Sequence, residues 1–188
     1  MVDQYVEDVQ LLQLISQGNE DALATLYKKH GGTLYAYALR IMGDQEMAKD
    51  VLQDSLLTIW QHASSFRAEG RAVAWLFKIV HNKAMKMFRQ RKNLSLDEMP
   101  QEPQSERLGP DESLLGRERK ALLSAGLARL SAEHRATLEL VFFQGMTLQE
   151  VARVCDVPVG TVKSRLSYAK SALKGALNRQ DVIGEELA

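Results

Sequence analysis

Apolar residues recur along this chain at intervals of three and four, the period that lines one face of an α-helix. Leu11, Leu12, Ile15, Leu23 and Leu26 open the series, and Leu34, Tyr37, Ala38 and Ile41 continue it. Gly18-Asn19 is expected to interrupt the first stretch, Gly31-Gly32 the second, and Gly43-Asp44 to close the third. From Gln45 a new stripe of Ala48, Val51, Leu52, Leu56, Ile59 and Trp60 ends near His62. Ser64 to Arg71 is polar and glycine-bearing and reads as a loop. Val73 to Arg91 then predicts a further helix carrying Trp75, Leu76, Ile79, Val80, Met87 and Phe88. No alternation of period two runs long enough for a strand.

The pattern changes between Asn93 and Leu114. Three of the four prolines (Pro100, Pro103, Pro110) fall here with Asp97, Glu98, Glu102, Glu106, Asp111 and Glu112, and too little apolar content to hold a core. Helical periodicity resumes near Arg117 and continues to about Leu177, and the closing GEELA reads as a frayed tail. The expectation is an all-α protein of two small helical domains, residues 1–92 and 117–180, joined by a flexible acidic linker, 93–116, with a tail at 181–188.

Composition narrows the function. The 188 residues are 45% hydrophobic, enough to build cores. Lys plus Arg and Asp plus Glu both total 24, and a formal charge of zero argues against a simple nucleic-acid binder unless the charges are segregated. Cys155 is the only cysteine, so neither an intrachain disulfide nor a cysteine-held metal is expected. MVDQYVEDVQ lacks the layout of a signal peptide, and no run of roughly 18 apolar residues predicts a membrane span. A soluble cytoplasmic protein is expected. His30, His62, His81 and His134 are scattered without metal-ligand spacing, and no nucleophile-elbow or phosphate-loop pattern occurs. The expectation is therefore no enzyme, no cofactor, no metal and no small-molecule substrate. His81, inside a basic helix, is expected at the surface or facing DNA.

Residues 147–174 carry the clearest motif. Thr147 can cap a helix, with Glu150 three positions on completing a capping box. Leu148, Val151 and Ala152 give that helix an apolar face, Cys155-Asp156 supplies a tight turn, and Val157 a buried anchor. Pro158 sits where a second helix begins, and Val162, Leu166, Ala169 and Leu173 form its inner stripe. Helix, turn and helix in this spacing describe a helix-turn-helix. The second helix's outer face carries Thr161, Lys163, Ser164, Arg165, Ser167, Tyr168, Lys170 and Lys174, and no acid occurs from Val157 through Gln180. Cations for phosphates and hydrogen-bonding side chains for base edges are what a major-groove helix needs. A solvated basic face would look similar; the capped first helix and the Asp156 turn favour DNA.

The string EVARVCDVPVGTVKSRLSYAKSAL, preceded by LELVFFQGMT, resembles region 4 of bacterial sigma factors of the extracytoplasmic-function group, within the sigma-70 family. The resemblance implies that Lys163, Ser164, Arg165 and Tyr168, with Thr161, Ser167 and Lys170 beside them, read the −35 promoter element. Family members often carry an arginine or histidine at Tyr168 and a bulky residue at Ser167, so this chain's promoter preference stays open.

Two patches in the first half bear on that resemblance. GDQEMAKDVLQDSLLTIWQ, residues 43–61, is amphipathic with Glu46, Asp50, Gln53 and Asp54 outward. Acids near a helix's positive end are ordinary, but the string looks like region 2.2, which docks on a coiled coil of RNA polymerase. By that resemblance Asp50, Gln53, Asp54, Leu57 and Trp60 form or support the contact. GRAVAWLFKIVHNKAMKMFRQRK, residues 70–92, holds seven cations (Arg71, Lys78, Lys83, Lys86, Arg89, Arg91, Lys92), no acid, and Trp75, Phe77 and Phe88 interleaved. Such a stretch can draw in phosphates and stack bases, although Trp75 and Phe88 also fit a helix core. It resembles regions 2.3 and 2.4, which capture a flipped base of the −10 element. Lys78, Asn82, Lys83 and Lys86 then face DNA, while Phe66, Arg67 and the loop to Arg71 match the base pocket. Ala68-Glu69-Gly70 in that loop leaves the identity of the base open.

The resemblance covers about residues 9–91 and 117–178 in family order, without a long region 1 or a separate region 3. It implies three partners: core RNA polymerase, promoter DNA and an anti-sigma factor, in a stress or envelope response. The linker acids either thread the polymerase as a nucleic-acid mimic or merely keep the linker solvated. A stand-alone helix-turn-helix regulator and a decoy that sequesters an anti-sigma factor are the rival readings. Cys155 is expected to be buried and inert rather than a sensor.

Overall fold

Short polar side chains and positive-φ glycines set the boundaries of the first helices. The computed structural model describes residues 2–67, 70–94, 126–127 and 130–186, with side chains described from residue 7 to residue 175 within those ranges, residues 92–94 excepted. Helix α1 (Val2–Ser16) ends in a turn with Gly18 at φ 84°. Asn19 then caps α2 (Glu20–Met42), its Oδ1 accepting from the Ala22 N–H at 2.9 Å. Gly43 closes α2 at φ 68°, donating to the Leu39 carbonyl, and Asp44 caps α3 (Gln45–His62) through the Met47 N–H. A single 3-10 turn (Ala63–Ser65) leads toward α4 (Ala72–Leu94).

Gly31-Gly32 does not interrupt the chain: α2 runs unbroken through both. Two mid-helix glycines cost about 1 kcal/mol each against alanine, but Leu26, Leu34, Tyr37, Ala38 and Ile41 bury the stripe on either side. Gly31 also makes room for a neighbour. A Cβ there would meet the Tyr27 ring at 2.7 Å. Packing overrides local propensity at this point.

Helices α1–α4 close around Leu12, Ile15, Leu26, Tyr37, Ile41, Val51, Ile59, Leu76, Phe77 and Val80, all fully buried. Tyr37 and Phe77 meet edge to face at 5.2 Å between ring centroids. Phe77 is thus core. Trp75 and Phe88 are half-buried against it, with Trp75 edge-on to Phe66 at 5.6 Å.

The second half begins at α5 (Ala132–Leu138), capped by Ser131. One wide π turn (Glu139–Phe143) follows, its extra residue visible in the Gln144 N–H reaching back to the Glu139 carbonyl. Helix α6 (Leu148–Cys155) and helix α7 (Val159–Glu186) complete the chain. Leu140, Val151, Val154, Val162, Leu166 and Ala169 form their shared core. The backbone of α7 is helical through Glu186, beyond the end near Leu177 that periodicity suggested. No strand occurs among the described residues. The acidic stretch from 95 to 125 lies outside the described residues, so the linker expectation is not addressed.

These two helical groups pack together, α5 against α2 and α6 against α4.

Candidate nucleic-acid interface

The helix-turn-helix forms as its residues dictate. Thr147 Oγ1 accepts from the Glu150 N–H at 3.2 Å, and Glu150 Oε2 accepts from the Thr147 N–H at 2.8 Å. Both halves of the capping box are present. Asp156 takes the left-handed conformation at φ 53°, a region that aspartate tolerates better than most residues. The Pro158 carbonyl accepts the first N–H groups of α7, from Thr161 and Val162.

Lys163, Ser164, Ser167, Tyr168 and Lys170 stand exposed along α7, with Thr161 and Arg165 half-buried. Tyr168 is 60% exposed and lies against the His134 ring at 4.6 Å, so its hydroxyl is carried on a supported ring. Lys170 sits 5.2 Å above the exposed Phe142 ring. This face is basic and open.

The basic face of α4 exposes Asn82, Lys86 and Arg89 as well, and α6 packs beside it. Arg71 lies 3.7 Å from the Glu150 carboxylate of α6. Lys78 lines a cleft of about 620 Å³ with Arg153, Asp156 and Pro158. Asn82, Lys86 and Arg89 line a second cleft, of about 430 Å³, with Glu133, Asp156 and Arg165. Lys83 is half-buried. The loop before α4 is approached as well, since a Cβ on Gly70 would meet the Arg153 guanidinium at 3.1 Å. Phe66 is half-buried and Arg67 exposed, while Ala68 and Glu69 lie outside the described residues.

His81 corrects an expectation. It is 5% exposed and neither at the surface nor free to face DNA, because it turns inward to share a 2.7 Å hydrogen bond with the Tyr37 hydroxyl. Burial, then the Arg165 and Arg89 cations, pushes its pKa down to about 4, so the ring is neutral at pH 7. Cys155 is buried beside the second cleft, and burial pushes its thiol up to about 11, which leaves it unreactive.

Along α3, Asp50, Gln53 and Asp54 project into solvent, Leu57 is 51% exposed, and Trp60 rests half-buried on the core. An exposed leucine among acids at helical spacing makes a surface patch rather than a packing face.

Four further groups matter that the pattern did not single out. Arg40 at the end of α2 donates to the Glu139 carboxylate on the π turn, and its guanidinium also lies 4.2 Å above the Phe143 ring. Arg135 of α5 donates to the Ile41 carbonyl at 3.1 Å, satisfying one of the carbonyls that α2 leaves open at its end. Arg153 reaches the Gly70 loop. An acid inside the apolar run LELVFF is a cue to a buried ion pair, but nothing local names its partner.

The Sigma-70 region 2 family model matches residues 26–94, and the Sigma-70, region 4 model matches residues 126–175. The ECF RNA polymerase sigma factor SigL of Mycobacterium tuberculosis is 36% identical over 162 residues, 85% of this chain and 91% of its own. The chain belongs to the extracytoplasmic-function sigma factors. Another member, SigM of the same species, is 31% identical over 169 residues, covering 88% of this chain and 82% of its own. Among solved structures, the sigma factor RpoE from Bartonella quintana, in complex with the anti-sigma factor NepR, matches with a TM-score of 0.69 at 26% identity, covering 82% of this chain and 96% of that one.

In this sigma factor α2–α4 therefore fall in region 2 and α5 to the middle of α7 in region 4. The structure exposes Lys163, Ser164, Ser167, Tyr168 and Lys170 of region 4 and half-buries Thr161 and Arg165. Arg71, Lys78, Asn82 and Lys86 of region 2 border α6 and the turn that follows it.

Proposed function

We propose that this sigma factor binds core RNA polymerase and directs promoter recognition and melting, with each step assigned to a named face. The α7 side chains Thr161, Lys163, Ser164, Arg165, Ser167, Tyr168 and Lys170 read the −35 element in the major groove. Phe66, Arg67, Arg71, Lys78, Asn82, Lys83 and Lys86 hold the −10 element, cations on the backbone and the Phe66 loop around the extruded base. Asp50, Gln53, Asp54 and Leu57, backed by Trp60, dock on the polymerase. Residues 1–92 and 117–180 act as the two functional units, 93–116 as the acidic connection between them and 181–188 as a tail.

The observation that carries this reading is the pairing of two basic helices, one in each matched region, with no acid on α7 before Asp181. Catalysis stays with the polymerase: this chain supplies neither a cofactor site nor a reactive side chain to the reaction. Action in the cytoplasm belongs to the same reading; no helix among the described residues is long and apolar enough to cross a membrane. An anti-sigma factor is the expected regulator, by likeness to the RpoE–NepR complex, in a stress or envelope response.

Promoter-directed transcription with purified core polymerase tests the reading. Specific starts should appear only when the chain is added and vanish with Lys163→Glu plus Arg165→Glu. Duplex binding by the chain alone, with a silent polymerase, would instead make it a stand-alone regulator.

A further inference from the structure

The outward side of α7 has two flanks that are supported differently. Helical steps of three, four and seven place Thr161, Arg165 and Tyr168 in one row and Lys163, Lys170 and Lys174 in another. A lysine on a phosphate acts as a point charge on a flexible stem and needs no fixed orientation. Lys170 accordingly rests 5.2 Å above Phe142, a ring that is itself exposed. A tyrosine that reads a base edge must present its ring and hydroxyl at one angle, because hydrogen bonds weaken steeply off line. Tyr168 is too exposed for the core of region 4 to fix it.

Its support comes from α5. The Tyr168 and His134 rings lie 4.6 Å apart between centroids and 34° from parallel, a tilted stack. His134 is half-buried and is itself tied down, since its Nδ1 shares a 2.8 Å hydrogen bond with the hydroxyl of Ser131, the cap of α5. A chain of contacts thus runs from the start of α5 through Ser131 and His134 to Tyr168. Burial, then the Arg165 cation, holds the His134 pKa below the usual histidine value, against the pull of Glu133. The ring therefore stacks in its neutral form at pH 7. Glu133 on its own helix, and Arg165 and Tyr168 on α7, are the ionisable groups that face it.

We propose that His134 is a positioning residue for −35 recognition: held by Ser131, its ring fixes Tyr168 in the orientation that reads one base pair. The inference rests on the assignment of the α7 side chains to the −35 element made above, and it brings α5 into the specificity of a contact made from α7. An exposed tyrosine freed from its support samples several rotamers. Each rotamer off the base edge weakens discrimination without touching the phosphate contacts.

Holoenzyme assembled from core polymerase and the full-length chain tests this on promoters whose −35 element is varied one base pair at a time. Tyr168→Ala should flatten the preference at one position. His134→Ala should reduce discrimination at that same position by about fivefold and leave the other positions unchanged. His134→Phe keeps a ring against Tyr168 and should restore the wild-type preference. His134→Leu fills the space without a stacking ring; it should match His134→Ala, and it keeps the test open should the alanine variant fail to fold. Acid supplies a readout that a merely structural role would not move. Below about pH 6.5 the wild-type ring takes on charge beside the duplex, so affinity for every −35 sequence should rise by about threefold relative to His134→Phe. Equal losses at all positions in His134→Ala, or the same pH response in wild type and His134→Phe, would overturn the proposal. If Tyr168→Ala changes one position and His134→Ala none, the positioning role falls while the α7 reading stands. If the wild-type chain yields no promoter-specific transcript, the functional reading fails and this inference with it.

Discussion

Helices α4 and α7 carry similar charge and differ in how much of their surface is committed to packing. Lys86 and Arg89 of α4 are exposed, as are Lys163 and Lys170 of α7, but α4 also has α6 of the other region packed against it. The difference originates in what each helix must bury. In α7 a single narrow stripe of Val162, Leu166 and Ala169 satisfies the small core of region 4 and leaves most of the circumference outside. In α4, Ala72, Leu76, Phe77, Val80, Ala84 and Met85 are buried, and His81 is drawn in beside them. A helix with that much of its surface committed has only a ribbon left, and a neighbour eight residues long suffices to cover part of it.

The contrast is broken most severely at the open face. Lys163→Glu with Arg165→Glu should abolish promoter-specific transcription, a loss of roughly 100-fold or more, since each good contact is worth about 1–3 kcal/mol and reversal adds repulsion. Lys78→Ala, on the covered face, should cost no more than about tenfold in the same assay. Equal losses would mean that the two faces are equally engaged.

A pH titration sharpens the comparison next. His81 titrates near 6.5 when unfolded and at about 4 in the folded chain. The unfolded state therefore binds more protons between those values, and stability is full above pH 6.5 and lost as pH falls. Between pH 7 and pH 5 this one group should remove roughly 2 kcal/mol. The groups that face it are Tyr37, Arg89, Arg165 and Glu133, from four different elements. Both tryptophans, Trp60 and Trp75, lie in region 2, so their fluorescence during urea unfolding follows the half that contains His81. His81→Gln should flatten the pH dependence. No difference between wild type and His81→Gln would show that the ring is hydrated in solution.

A smaller effect belongs to the cap of α6. Thr147→Ala removes the Thr147 half of the capping box and should destabilise region 4 by about 1 kcal/mol, read as a lower urea midpoint by circular dichroism. Region 2 tryptophan fluorescence should respond less. An equal response would show that the two regions unfold as one unit.

Much of this architecture was legible in short stretches of chain. Asn19 and Asp44 cap the helices they precede, Gly43 ends α2, Thr147 and Glu150 box the start of α6, and Pro158 precedes α7. The outward side of α7 was equally plain, since its inner stripe of Val162, Leu166 and Ala169 leaves Lys163, Ser164, Ser167, Tyr168 and Lys170 exposed. Gly31-Gly32 and His81 were misjudged for one shared reason. A glycine pair reads as a break, and a histidine among lysines reads as surface, until the opposing side chain is known: the Tyr27 ring over Gly31, the Tyr37 hydroxyl under His81. The π turn left no signature that the helical period could register.

Those successes share a length scale. Caps, turns and stripes are decided by residues three or four apart, where backbone geometry alone brings side chains together, so the order of residues settles which helices form and which faces are basic. Arg40 and Glu139 stand 99 residues apart, and Tyr37 and His81 stand 44 apart. Such partners meet only when whole helices pack, and packing chooses among many pairings by shape and burial rather than by local period. Which side chains of the two basic faces border the other region was decided there, by where α5 and α6 come to rest.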